Sequence, residues 1–142
     1  MKTLRVTKIF NFEAAHILPY HEGLCKNIHG HSYSLEVTLL GEPKQNPNNG
    51  DDGMLIDFSE LKKIVNDNVV NKLDHCMMAP DFIDHTAFKR KIIFNNSPTC
   101  ENVLLYIKDQ LSGKFPKDLK LVALKLHETS SSFAEWRIED QD

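Results

Sequence analysis

Residues 4–16 read LRVTKIFNFEAAH and residues 29–40 read HGHSYSLEVTLL. In the first stretch Leu4, Val6, Phe10, Phe12 and Ala14 alternate with Arg5, Thr7, Asn11 and Glu13; in the second Tyr33, Leu35, Val37 and Leu39 alternate with Ser32, Ser34, Glu36 and Thr38. A period of two marks a strand with one buried face, because successive side chains point to opposite sides of the backbone. His16 ends the apolar face of the first strand, and His29 and His31, two residues apart, share one face of the second. The link over 17–28 holds Pro19, Gly23 and Cys25 and reads as a loop.

Beyond this pair, the run from Gly41 to Gly53 carries Pro43, Pro47, Asn48, Asn49 and Gly50 and reads as a polar, turn-rich insertion. Asp57 and Glu60 stand at capping-box spacing, and Leu61, Ile64, Val65, Val69 and Leu73 recur at helical intervals. That helix ends near Leu73, just before Asp74 and His75. Ser97-Pro98 opens a second helix with Val103, Leu104, Ile107 and Leu111 as its buried stripe, and Gly113 stops it. Two more strands, over 119–128 and 133–139, flank the turn Thr129-Ser130-Ser131-Ser132.

The order β-β-α-α-β-β predicts an α+β fold in one domain spanning residues 1–142, a four-stranded antiparallel sheet with two helices on one face. Its open edges suit pairing between subunits. The segment from Met77 to Asn96 shows no period; its basic run Lys89, Arg90 and Lys91 reads as a solvated face.

Hydrophobic residues at 41% and charged residues at 26% fit an ordinary globular protein rather than a disordered or fibrous one. A formal net charge of −3 argues against nucleic acid as a partner. No apolar run approaches the ~20 residues that span a bilayer, and the first ten residues lack the unbroken apolar core of a signal peptide. Cys25, Cys76 and Cys100 are an odd number without framework spacing, which points to free thiols in a reducing compartment, hence a cytoplasmic protein.

The chemistry concentrates in Cys25-Lys26-Asn27-Ile28-His29-Gly30-His31 with His16 upstream. Adjacent antiparallel strands bring three imidazoles together, and three histidines leave the fourth position of tetrahedral zinc open, as in a catalytic site. Two other readings fit the same residues: a partly buried polar edge, or a closed structural site with Cys25 as fourth ligand. Cys76 and Cys100 read as inert core residues. Asp74-His75 reads alone as a helix C-terminal cap, and Glu128, beside apolar Leu124 and Leu126, either points outward at the strand end or anchors a ligand. His21, His85 and His127 have no partner at a meaningful spacing and read as surface residues.

Assembled in order, Phe12-Glu13-Ala14-Ala15-His16, Cys25-x-x-x-His29-Gly30-His31, Gly53-Met54-Leu55-Ile56-Asp57-Phe58, Leu73-Asp74-His75, Pro98-Thr99-Cys100-Glu101-Asn102 and His127-Glu128-Thr129 resemble the 6-pyruvoyl-tetrahydropterin synthase and 6-carboxytetrahydropterin synthase family. The resemblance covers nearly the whole chain. It implies a tunnelling fold whose subunits pair into a barrel and stack as a homohexamer, with sites between subunits. It also implies 7,8-dihydroneopterin triphosphate as substrate and Zn2+ as cofactor.

In that family pattern His16, His29 and His31 hold the zinc, Glu128 grips the pterin ring, Thr99 and Glu101 lie near the pterin pocket, and Cys25, Asp74 and His75 transfer protons. Of the two family activities, the short form of the chain favours 6-carboxytetrahydropterin synthase of queuosine biosynthesis, which releases acetaldehyde, over 6-pyruvoyl-tetrahydropterin synthase. A pterin-binding zinc protein without turnover is the reading from another class. Dihydroneopterin aldolases share the fold but leave the three histidines unexplained. The sequence departs from the family after Asp74-His75, where Cys76-Met77-Met78-Ala79-Pro80 replaces the usual leucine-asparagine ending.

Overall fold

The computed structural model describes residues 2–84 and 86–142, so His85, expected at the surface, lies outside the described residues. Two long strands, β1 (Leu4–His16) and β2 (His29–Gly41), form the antiparallel centre of the sheet. Along both, burial follows the sequence alternation: Phe10, Phe12, Ala14, Tyr33, Leu35, Val37 and Leu39 are buried while Arg5, Thr7, Asn11 and Glu13 face out.

Helix α1 begins at Phe58–Val65, passes through a π-helical turn at Asn66–Val70 and closes with Asn71–Leu73. Asp57 caps it as the spacing predicts, although its carboxylate accepts from the backbone N–H and hydroxyl of Ser59, at 2.8 and 2.7 Å, instead of bonding three residues on. Helix α2 (Cys100–Leu111) has Thr99 as its N-cap, whose hydroxyl accepts from the Asn102 N–H at 3.2 Å; Gly113, at φ +74°, takes the left-handed turn that ends it. The buried stripes Leu61, Val65, Val69, Leu73 and Val103, Leu104, Ile107, Leu111 join the inner faces of the strands in one core. Both helices therefore cover the same face of the sheet.

The sheet is larger than the four antiparallel strands expected. β3 (Cys76–Pro80) runs parallel to β1, and β4 (Lys91–Phe94) runs parallel to β3; β5 (Lys120–Thr129) and β6 (Ser132–Arg137) complete the antiparallel side. Among the described residues the order is β4-β3-β1-β2-β5-β6, a six-stranded mixed sheet. The correction comes from the aperiodic segment after His75. All five residues of β3 are buried, so no polar alternation announces a strand, as is usual for parallel strands covered on both sides. Among the described residues no helix is long and apolar enough to cross a membrane.

Candidate functional site

The β1–β2 register sets His16 directly opposite His29, with His31 opposite Ala14 on the same inward face. One ring nitrogen from each of His16, His29 and His31 falls within 4.8 Å of the others. Two of the rings are oriented by their other nitrogen. His16 Nδ1–H donates to the Pro98 carbonyl at 2.8 Å, and His29 Nδ1–H donates to the Asn27 carbonyl at 2.7 Å. Carbonyls only accept, so these bonds fix the tautomers and leave both Nε2 lone pairs pointing inward.

Those two Nε2 atoms stand 2.9 Å apart. With neutral rings the contact joins two acceptors and is repulsive until a cation sits between them. His31 Nε2 is buried, 3.4 Å from Glu128 Oε1 but outside hydrogen-bond geometry, and has no hydrogen-bond partner among the described residues. Desolvation is the main influence on fully buried His16 and pushes its pKa below the ordinary histidine value; the Pro98 carbonyl and Glu128 oppose that shift, and His29 and His31 add to it. Three clustered imidazoles, two of them oriented by backbone carbonyls and the third with an unpaired buried nitrogen among the described residues, fit a borderline-soft divalent metal. The polar-edge reading does not account for that orphan.

Beside the histidines lies a cleft of about 310 Å³ lined by Cys25, Thr99, Glu101 and Glu128, together with His21 and Cys100. Cys25 sits in a single turn, Leu24–Lys26, within a loop that closes on itself as Leu18 N–H donates to the Cys25 carbonyl at 3.1 Å. Glu128 is the extra residue where the β5–β6 register shifts between His127 and Thr129, a bulge of the kind that re-aims a side chain. It reaches both the cleft and His31, so the ligand-anchoring alternative for this carboxylate is the one its position supports. Pro98 fixes His16 while its successors Thr99 and Glu101 line the cleft, so the start of α2 ties the three-histidine cluster and the cleft together.

Asp74 and His75 lie elsewhere. His75 lines a second cavity, about 450 Å³, with Glu13, Ala15, His31, Ser32, Lys89 and Arg90. Asp74 Oδ1 accepts from the Glu13 N–H at 2.9 Å and Oδ2 lies 3.1 Å from His75 Nδ1. The Glu13 N–H is the largest cause holding the Asp74 carboxyl below the usual range, helped by His75 and Arg90 and opposed by slight desolvation. His75 takes φ +62°, rare for a side chain other than glycine or asparagine, and its N–H donates to the Glu13 carbonyl at 2.5 Å. A left-handed residue just past a helix end is a common C-terminal cap arrangement, and the Glu13 N–H and carbonyl add a tether from β1 to it.

The other cysteines behave as expected of inert thiols: burial pushes both Cys76 and Cys100 up to about 11. Cys100 nonetheless borders the cleft, which its sequence position did not reveal. His21 is exposed, as expected, and also borders the mouth of the cleft, its Nδ1 accepting from the Gly23 N–H at 2.9 Å. His127 was expected at the surface but is only 22% exposed, packed against the Phe133 ring at 4.8 Å.

The family model described as 6-pyruvoyl tetrahydropterin synthase matches residues 5–139. The chain is 30% identical over 142 residues to 6-carboxy-5,6,7,8-tetrahydropterin synthase of Haemophilus influenzae, covering 94% of this chain and 98% of that one. It is 37% identical over 118 residues to dihydroneopterin monophosphate aldolase of Pyrococcus furiosus, covering 83% of each. Among solved structures, the 6-pyruvoyl tetrahydropterin synthase of Caenorhabditis elegans superposes with a TM-score of 0.73 at 26% identity, covering 96% of both chains.

Proposed function

The chain belongs to the 6-pyruvoyl tetrahydropterin synthase family, and from that premise we propose that it is a zinc-dependent 6-carboxy-5,6,7,8-tetrahydropterin synthase. It would convert 7,8-dihydroneopterin triphosphate to 6-carboxytetrahydropterin, releasing acetaldehyde and triphosphate, in the cytoplasm and within queuosine biosynthesis. The observation that carries this reading is Glu128, which joins the three-histidine centre to the cleft of Cys25, Thr99 and Glu101. The Haemophilus influenzae relative, matched nearly end to end, supports the carboxy product over the pyruvoyl one.

A divalent ion held by His16, His29 and His31 supplies a Lewis acid for oxygens of the substrate side chain. Cys25, partly exposed in the adjoining cleft, removes the proton from the activated C–H. Glu128 and Glu101 accept hydrogen bonds from the pterin N–H groups, and a carboxylate matches two neighbouring donors at once. Asp74 holds His75 by its Nδ1–H, so that the other ring nitrogen returns or relays protons. Because His75 opens onto a different cavity from Cys25, the proton-transfer group is completed by a neighbouring subunit, in a homohexamer built on a tunnelling-fold barrel.

Incubation of metal-loaded protein with 7,8-dihydroneopterin triphosphate, followed by mass spectrometry and an acetaldehyde assay, tests the reading. Acetaldehyde with a carboxylated pterin is the expected result. Triphosphate release without acetaldehyde would move the assignment to the pyruvoyl product, and unchanged substrate would leave a pterin-binding protein without turnover. The Pyrococcus furiosus relative favours a second reading, retro-aldol cleavage of dihydroneopterin monophosphate, which breaks a side-chain carbon–carbon bond and leaves the phosphate ester intact on the released aldehyde. The monophosphate in the same assay separates the two.

A further inference from the structure

The basic run Lys89-Arg90-Lys91 is not a uniformly solvated face. Its middle residue turns back onto the end of α1. Arg90 Nε–H donates to the Asp74 carbonyl at 3.1 Å, and a second guanidinium N–H donates to the carbonyl of Asn71. These are two of the last carbonyls of the helix, which have no partner within it. A planar guanidinium reaches both where an ammonium serves only as a point charge, and a cation there also opposes the negative end of the helix dipole.

The same residue is fixed from its backbone, whose carbonyl accepts the Met77 N–H at 2.9 Å where β4 joins β3. Arg90 is thus held by the sheet and grips the helix on either side of the step into His75. Three features converge on that step: the π-helical turn Asn66–Val70 just upstream, the left-handed backbone of His75, and the Glu13 N–H and carbonyl that bind Asp74 and His75 from β1. Of these only Arg90 belongs to the segment that the family resemblance leaves unexplained.

We propose that Arg90 is a positioning residue for the Asp74–His75 pair, clamping the helix end so that the strained His75 backbone and its carboxylate partner hold one arrangement toward the cavity they share with Lys89. The proposal rests on the reading of Asp74 and His75 as proton-transfer groups, and it gives the β3–β4 extension a role in the site. The charged groups facing the pair are Glu13 on β1 and Lys89 and Arg90 at the entry to β4. After the Glu13 N–H and His75, Arg90 adds a smaller contribution that lowers the Asp74 carboxyl, so its loss moves the Asp74 titration toward higher pH.

The test compares wild type with Arg90→Gln and Arg90→Lys as metal-loaded protein. Three readouts are needed: kcat and KM for dihydroneopterin triphosphate across pH, the Asp74 carboxyl titration by carbon-13 NMR, and Tm. For Arg90→Gln the expected result is a fall in kcat of about tenfold with KM nearly unchanged, the pattern of a defect felt in the chemical step. Its acid limb and its Asp74 titration both move upward, and Arg90→Lys recovers part of each. A lowered Tm with the pH profile and Asp74 titration unmoved would overturn the proposal and leave Arg90 a helix cap. His75→Ala serves as the control: wild-type turnover in that variant would sink the proton-transfer reading itself, while the Asp74 titration still decides whether Arg90 sets the state of the pair.

Discussion

His16 Nε2 and His29 Nε2 face each other at 2.9 Å while each ring gives its Nδ1–H to a backbone carbonyl. The opposed strand register creates this conflict of lone pairs, and the two carbonyls keep either ring from escaping it by changing tautomer. A bound cation turns the conflict into coordination, so metal affinity and strand pairing are one design at this end of the sheet.

Metal content follows directly. Protein purified without chelator should carry about one ion per chain, and His16→Ala or His29→Ala should carry almost none, by elemental mass spectrometry. Because the ion binds the folded chain, its removal by chelation should lower Tm; free metal at a hundredfold over its dissociation constant stabilises by about 2.7 kcal/mol. A Tm indifferent to chelator would remove the metal from the account.

The three thiols should differ in reactivity and in consequence. Cys76 and Cys100, with pKa values of about 11 from burial, present fewer than roughly one thiolate in a thousand at pH 7.5. Iodoacetamide at that pH should therefore mark Cys25 first, as read by peptide mass spectrometry. Cys25→Ala should keep its metal and lose turnover, whereas loss of metal would make Cys25 a ligand.

Glu128 serves both halves of the site, so removing its charge should separate binding from coordination. Glu128→Gln keeps the shape but loses the anionic acceptor, and kcat/KM should fall by about a hundredfold. Metal content should hold, since His31 Nε2 makes no hydrogen bond to this carboxylate. A variant with wild-type kcat/KM would show that the pterin is not held here.

What the sequence made legible depended on solvent. β1, β2, β5 and the two helices each leave one face wet, and their alternation or helical stripe is written in polar residues. β3 is buried throughout and β4 spans only Lys91–Phe94, so neither has a pattern to read, and the sheet grew by two parallel strands. The gathering of His16, His29 and His31 was legible because a strand puts residues two apart on one face and the antiparallel partner sets His16 opposite. The gathering of Cys25, Thr99, Glu101 and Glu128 needed a loop, a helix start and a bulge, and local periodicity encodes none of these.

Core packing carries the stability of this frame. Leu61, Val69 and Leu73 are fully buried along α1, and Leu61→Ala should cost about 2–5 kcal/mol in urea unfolding. Leu61 lies on α1 and the three histidines on β1 and β2, so metal content should survive at temperatures where the variant remains folded.

Acid stability should report on Asp74. Its carboxyl titrates below the usual range in the folded chain, chiefly through the Glu13 N–H, so between the folded and unfolded pKa values the unfolded state binds more protons. Stability from this group is therefore complete above its unfolded pKa of about 3.9 and is lost as pH falls through the folded value. Asp74→Asn cannot titrate, so it should be less stable than wild type at neutral pH, with the gap closing as pH falls below about 4 toward the folded value. Urea midpoints measured from pH 7 down to pH 3 check this; parallel curves would mean that the carboxylate is no better held in the folded chain than in the unfolded one. The same variant bears on His75. With the carboxylate replaced, the imidazole loses the charged partner of its Nδ1–H, and turnover should fall even at pH values where folding is unaffected.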